Sequence, residues 1–317
     1  MLRLLLLVQA AAALALAACA WRWFGVSALA AVLLGAGVVL LVRLLINANN
    51  FFLSSRSASA TPAEFRIKAG ARLRLFGEEF AASMLQSSWS MPRGAPRQVI
   101  YPGSTCPPVL MLHGYGCNCG YWAGLTPLLD AAGISHATLD LEPVTGDIDD
   151  YVPAVQSACE ALCREAGAPK LIIVAHSMGG LVARAWLRAH GVARVARVIT
   201  LGTPHHGTSL AGFGVGRNAA QMRRARAHTH AGGDEGEGLE NPWLGALAAG
   251  ESAGTRALIT SIYSHHDNIV SPQTSSLLEG ARNLAFGGVG HVALGRNRRV
   301  LACVMQEIAA AAPGGPV

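Results

Sequence analysis

Five residues carry the chemistry this chain can do. Ser177 lies in Ala175-His-Ser-Met-Gly179, a G-x-S-x-G elbow with alanine in the first glycine place. The apolar, β-branched run Leu171 to Ala175 leads into it and reads as a buried strand. From Leu181 onward, Leu181, Val182, Ala185 and Trp186 recur at helical spacing. Such a strand-to-helix turn lifts the serine hydroxyl above the sheet edge. It also leaves the Met178 N–H free at a helix N-terminus, where it can stabilise an anion. A serine hydroxyl becomes a useful nucleophile only when a base takes its proton. His291, in Gly287-Gly-Val-Gly-His291-Val, has the freedom and access for that task. Asp267 leaves the end of the strand Ala257 to Tyr263, placed to hold the histidine tautomer and stabilise the imidazolium. A Gly-rich bend, His113-Gly-Tyr-Gly116, follows the buried run starting at Val109 and offers the Tyr115 N–H as a second oxyanion donor. Asp140 also ends a strand but precedes the serine. His265 and His266 sit on the same turn as Asp267, and His113 reads as a brace for its own loop.

The elements that must position these residues alternate along the chain. Strand candidates run over 98–101, 109–113, 135–141, 171–175, 195–201, 257–263 and 283–286, with helix candidates at 120–132 and 150–166. Strands alternating with helices imply a mostly parallel sheet covered by helices on both faces. Residues 99–317 form this catalytic domain, with Gly202-Thr-Pro-His-His-Gly207 closing one strand at the sheet edge where ligands gather. Regular patterning fades over 208–256. His228 and His230 beside Asp234, Glu235 and Glu237 there read as a solvated insertion rather than a metal site. Its place, overhanging the serine, is that of a lid, with Trp243, Leu244 and Leu247 as apolar surface to cover an acyl chain.

The N-terminal part is of another kind. The chain is 51% hydrophobic and 14% charged, against about 25% charged residues in an ordinary soluble domain. The excess sits in two apolar runs, Leu4 to Ala20 and Phe24 to Val42, separated by Trp21, Arg22 and Trp23. Residues 1–46 are therefore expected to form two transmembrane helices. A competing reading is a secretory signal with a lipoprotein-type cleavage site before Cys19. Arg43, Arg56, Arg66, Lys68, Arg72 and Arg74 follow the second run while Arg22 stands alone in the turn, so the catalytic domain is expected on the cytoplasmic side. Insertion of the second run alone would put it outside. Residues 47–98 read as a linker and a juxtamembrane amphipathic segment. Leu73, Phe76, Phe80 and Met84 share one face, lying on the bilayer or against the catalytic domain. The seven cysteines lack paired Cys-x2-Cys spacing, which argues for small apolar fillers over zinc. The net charge of +6 belongs to the juxtamembrane arginines, and no nucleic-acid module accompanies it.

Leu112-His-Gly-Tyr-Gly116, Ala175-His-Ser-Met-Gly-Gly180, Leu201-Gly-Thr-Pro-His-His-Gly207, Asp267-Asn-Ile-Val270 and Gly290-His291 resemble bacterial lipases and esterases of the α/β-hydrolase fold. Within them the chain is most similar to small AHSMG-type triacylglycerol lipases and their membrane-anchored proteobacterial relatives. The resemblance covers roughly Val99 to Pro313. It implies Ser177 as nucleophile, Asp267 as acid, His291 as base and the N–H groups of Tyr115 and Met178 as oxyanion hole, in the chain order that fold uses. Some larger relatives carry calcium, but no positions here match that site, so no metal or cofactor is expected.

The expected function is that of a serine hydrolase anchored in a bacterial inner membrane. It would cleave carboxylic esters, lipid or other acyl esters, through an acyl-enzyme. Acyl transfer to an alcohol or thiol by the same residues is the enzymatic alternative. A scaffold or transport component is the non-enzymatic one, and two spans without an inverted repeat make a poor permease. The partners implied are the bilayer and the ester substrate.

Overall fold

The computed structural model describes residues 2–224 and 241–312. A seven-stranded sheet has the order β1-β3-β2-β4-β5-β6-β7. Its strands are β1 (Gln98–Val99), β2 (Val109–Leu112), β3 (His136–Leu139), β4 (Leu171–His176), β5 (Val195–Leu201), β6 (Ile259–Ser264) and β7 (Arg282–Phe286). All neighbours pair in parallel except β1, which lies antiparallel on β3 at the edge. Successive side chains point to opposite faces of a strand, and the core divides accordingly. Leu110, Leu112, Ile173 and Ala175 face helices Val152–Ala166 and Met178–His190. Val109, Met111, Ile172 and Val174 face Trp122, Leu129 and the final helix, Arg298–Ala310. Every residue of β2, β4 and β6 is buried. That explains why β2 and β4 read as nearly continuous apolar runs rather than alternating ones, while β6 buries Thr260, Ser261 and Ser264 among its apolar residues.

Two helices precede the domain, α1 (Leu2–Phe24) and α2 (Ala28–Ser55). Gly25 at φ +64 turns the chain between them, and the Ser27 side chain caps α2 by accepting from the Ala30 N–H at 3.3 Å. The segments Leu6–Phe24 and Ala28–Ser55 are each long and apolar enough to cross a membrane. Gly35 packs on the backbone of Ala13 with no room for a side chain, the small-residue contact that lets membrane helices approach.

Helix α2 runs well past the expected linker boundary at residue 47. Its 28 residues extend about 42 Å, more than the roughly 30 Å of a hydrocarbon core, and its last turns meet the catalytic domain. There the Ser54 carbonyl accepts from Ser271 Oγ at 2.7 Å, and Ser59 bonds Gln273 Oε1 through its N–H and hydroxyl at 3.1 and 3.2 Å. A third helix, α3 (Ala69–Leu85), follows. It packs on the domain, while Leu73 of the expected apolar face is exposed. Leu75, Glu79 and Ala82 are its buried residues, and Phe76 meets Phe51 of α2 with ring centroids 5.7 Å apart. It ends in a π-turn, Gln86–Ser90.

Candidate active site

The elbow is the strained point of the fold. Ser177 has φ 53 and ψ −124, and is the one non-glycine residue with positive φ among the described residues. Such a conformation costs on the order of 1–3 kcal/mol and persists only where neighbours over-determine it. Three hydrogen bonds do so here. The Ser177 N–H donates to Leu201 O at 2.8 Å, while its carbonyl accepts from the Gly180 N–H at 3.0 Å and from Thr203 Oγ1 at 2.9 Å. The close approach also explains Gly179, where a Cβ would lie 2.5 Å from Leu112 O and 2.7 Å from His113 O. Met178, next to the serine, opens the helix Met178–His190.

Asp267 and His291 meet beside this turn, brought from the end of β6 and from the loop after β7. His291 Nδ1 lies 2.7 Å from Asp267 Oδ2, with both side chains almost fully buried. The other carboxylate oxygen, Oδ1, accepts the N–H groups of Ile269 and Val270, each at 2.8 Å. The neighbouring Asn268 Oδ1 accepts the His291 N–H at 3.0 Å. The Asp267-Asn268 pair therefore holds both the ring and the backbone of the histidine. Burial works to lower the His291 pKa, but the charge and hydrogen bond of Asp267, with Glu79 farther off, outweigh it and leave the imidazole raised above its ordinary value of 6.5. His176, preceding the serine, has its ring centroid 4.6 Å from that of His291. Burial, then the neighbouring His291, pushes the His176 pKa well below the usual range, so it stays neutral.

The rival residues have other work. Asp140 Oδ1 accepts the Cys119 N–H at 2.7 Å. His113 braces its loop, with Nδ1 2.9 Å from Gly114 O and Nε2 accepting the Leu141 N–H at 2.9 Å. His265 packs its ring on Phe65, and His266 Nδ1 accepts the Gly288 N–H at 3.1 Å.

A pocket of about 450 Å³ opens over Ser177. Tyr115 lines it, and its hydroxyl ties the Gly-rich bend to the insertion by donating to Val215 O at 2.8 Å and accepting the Val215 N–H at 3.0 Å. Leu210, Phe213, Ala219 and Met222 supply much of the apolar wall. The expectation for the insertion needs correction here. Trp243, Leu244 and Leu247 do not line the pocket. Leu244 and Leu247 are buried in the cluster containing Trp186 and Leu187, and Trp243 Nε1 donates to Asp149 Oδ2 at 2.9 Å. Apolar residues three apart on a short helix look alike whether they face a substrate or the core. The histidines and acids from His228 to Glu237 lie outside the described residues.

Two features of the site escape a reading of the sequence. Glu79 of α3, off the face of Leu73, Phe76, Phe80 and Met84, is buried under the histidine loop, where its oxygens accept the N–H groups of Val292 and Ala293 at 2.9 Å each. Burial pushes its pKa up, partly offset by those two hydrogen bonds. Gly290 must be glycine for the same reason, since a Cβ there would lie 2.5 Å from Glu79 Oε2. The other is the pocket's far wall, which is Asn49, Asn50 and Leu53 of α2.

Residues 107–235 match the family model described as alpha/beta hydrolase fold. Among solved structures, the chain is similar to the lipase BlEst2 of Bacillus licheniformis in its mature form, with a TM-score of 0.53 at 20% identity, covering 68% of this chain and 97% of that one. It is also similar to lipase B of Aspergillus fumigatus, with a TM-score of 0.54 at 18% identity, covering 68% of this chain and 55% of that one. With the parallel sheet and the strained strand-to-helix turn, these likenesses establish that the domain carrying Ser177, Asp267 and His291 has the α/β-hydrolase fold.

Proposed function

We propose that the chain is a membrane-anchored serine hydrolase that cleaves carboxylic esters, with lipid or other acyl esters as substrates. The observation that carries this reading is the strained Ser177 beside a buried His291–Asp267 pair at 2.7 Å, under an apolar pocket. Ser177 attacks the ester carbonyl, and His291 takes its proton and returns it to the leaving alcohol. The Tyr115 and Met178 N–H groups hold the oxyanion. Loss of the alcohol leaves an acyl-enzyme, which water cleaves by the same route in reverse roles. Asp267 keeps the imidazole in the tautomer that presents Nε2 to the serine. The names of the similar lipases agree with an ester substrate, and the two apolar helices with an anchor in a bacterial inner membrane.

The test uses a fluorophosphonate probe and a short chromogenic ester. Wild type should be labelled and turn over the ester, while Ser177→Ala should lose labelling and about 10⁶ in turnover. Labelling that persists in the variant would remove Ser177 from the mechanism.

A further inference from the structure

We propose that a second chamber beside the ester pocket, with Arg43, Asn47 and Asn50 in its wall, takes the phosphate of a membrane phospholipid whose acyl ester lies at Ser177, an inference that rests on the hydrolase reading above. The chamber, about 160 Å³, adjoins the 450 Å³ pocket and shares Asn50 and Ile269 with it. Besides Ile46, three polar residues of α2 line it, Arg43, Asn47 and Asn50. Their spacing of i, i+4 and i+7 puts them on one helical face, turned to the catalytic domain.

The chamber holds a cation, Arg43, that contacts no carboxylate among the described residues. The Arg43 guanidinium donates to Gln9 of α1 and to Ser87 and Ser88 of the π-turn. Every acceptor it has among the described residues is neutral. Asn47 is 6% exposed, and its side-chain N–H₂ has no hydrogen-bond partner among the described residues. A buried donor left idle is destabilising in an ordinary fold, so an idle amide beside an unpaired guanidinium suits an anionic ligand rich in acceptors. Glu79 also borders the chamber, but both its oxygens are engaged by the Val292 and Ala293 N–H groups.

Depth along the helix identifies the anion as a lipid phosphate. Ala28 to Ile46 is apolar apart from Arg43 and spans about 28 Å, close to the hydrocarbon thickness of about 30 Å. Asn47 and Asn50 then stand at head-group level, and the long Arg43 side chain reaches the same level from one turn below. Apolar room lies on both sides. The ester pocket takes one acyl chain. A cleft of about 430 Å³ between α1 and α2, walled by Ala10, Ala13, Val39 and Leu40, runs from Arg43 and fits the second. Free phosphate would use neither.

The experiment compares the full-length protein on phosphatidylglycerol, on diacylglycerol with the same acyl chains, and on a short soluble ester. Wild type should prefer the phospholipid. Arg43→Gln and Asn47→Leu should each lower kcat/KM on it about tenfold or more, the scale of a charge-assisted hydrogen bond, and leave the other two substrates unchanged. Arg43→Lys should keep most of the preference. No preference in wild type, or equal losses on both lipids, would overturn the proposal. Inorganic phosphate should not compete. Inhibition by it that disappears in Arg43→Gln would assign the chamber to the free ion instead. Retention of phosphatidylglycerol by Ser177→Ala protein, lost on adding Arg43→Gln, tests the chamber without turnover. If the short ester and the fluorophosphonate both fail with wild type, the hydrolase reading falls while lipid retention still decides the site.

Discussion

At the scale of single residues, the site depends on holding one imidazole neutral and aimed. On the proposed mechanism His291 must be unprotonated to accept the Ser177 proton, so activity should fall as pH drops through its pKa. Asp267 and Glu79 raise that pKa against the effect of burial. The acid limb of the kcat/KM profile should therefore have its midpoint above the ordinary imidazole value of 6.5. Asp267→Asn should cost about 10⁴ in rate, because an amide favours the wrong tautomer, and should move the acid limb to lower pH. A variant with unchanged rate and midpoint would mean that Asp267 serves only its turn, where it already accepts the N–H groups of Ile269 and Val270.

At the scale of elements, α3 is the least expected participant. Its Glu79 is the acceptor for two N–H groups of the turn that follows His291. Through that turn, a helix outside the hydrolase sheet holds the segment next to His291, the proposed base. Glu79→Ala would leave two buried donors unsatisfied, at about 1–3 kcal/mol each, and should lower the melting temperature together with kcat. Glu79→Gln keeps an acceptor and the shape but removes the charge. Since that charge helps raise the His291 pKa, this variant should shift the acid limb to lower pH while remaining folded. An unmoved pH profile in a folded Glu79→Gln protein would reduce Glu79 to a structural tie.

At the scale of the molecule, the hairpin and the hydrolase domain form one working unit. The end of α2 is bonded to the Ser271–Gln273 segment, and Gln273 Nε2 in turn donates to Asp267 O at 2.8 Å. Gln273 thus links the segment after α2 to Asp267, the proposed acid, and α2 supplies a wall of the pocket over Ser177. Sidedness follows from charge. Arg56, Arg66, Lys68, Arg72 and Arg74 lie beyond α2 while Arg22 stands at the hairpin turn, so the domain should face the cytoplasm. A reporter active only in the periplasm, fused to the C-terminus, should be silent, and one active in the cytoplasm should work. The reverse would mean that a single span inserts or that the N-terminus is an export signal.

The sequence by itself determined the α/β-hydrolase class. Buried parallel strands are apolar along their whole length, and an elbow needs small residues at fixed offsets, so β2, β4 and the Ala175–Gly179 turn are local signals. It also put Ser177, Asp267 and His291 forward in order, because each stands at a strand end or in a Gly-rich loop. Only the tertiary structure decided what faces the site from a distance. Glu79 stands off the apolar face of its helix, and helical periodicity marks an apolar stripe but not a buried carboxylate that answers two backbone N–H groups over two hundred residues away. Trp243 and Leu247 looked like lid surface, since spacing cannot tell a core from a substrate. The polar stripe Arg43, Asn47, Asn50 was present in the sequence, but its meaning depends on which face of α2 meets the domain, and that is set by contacts no local pattern contains.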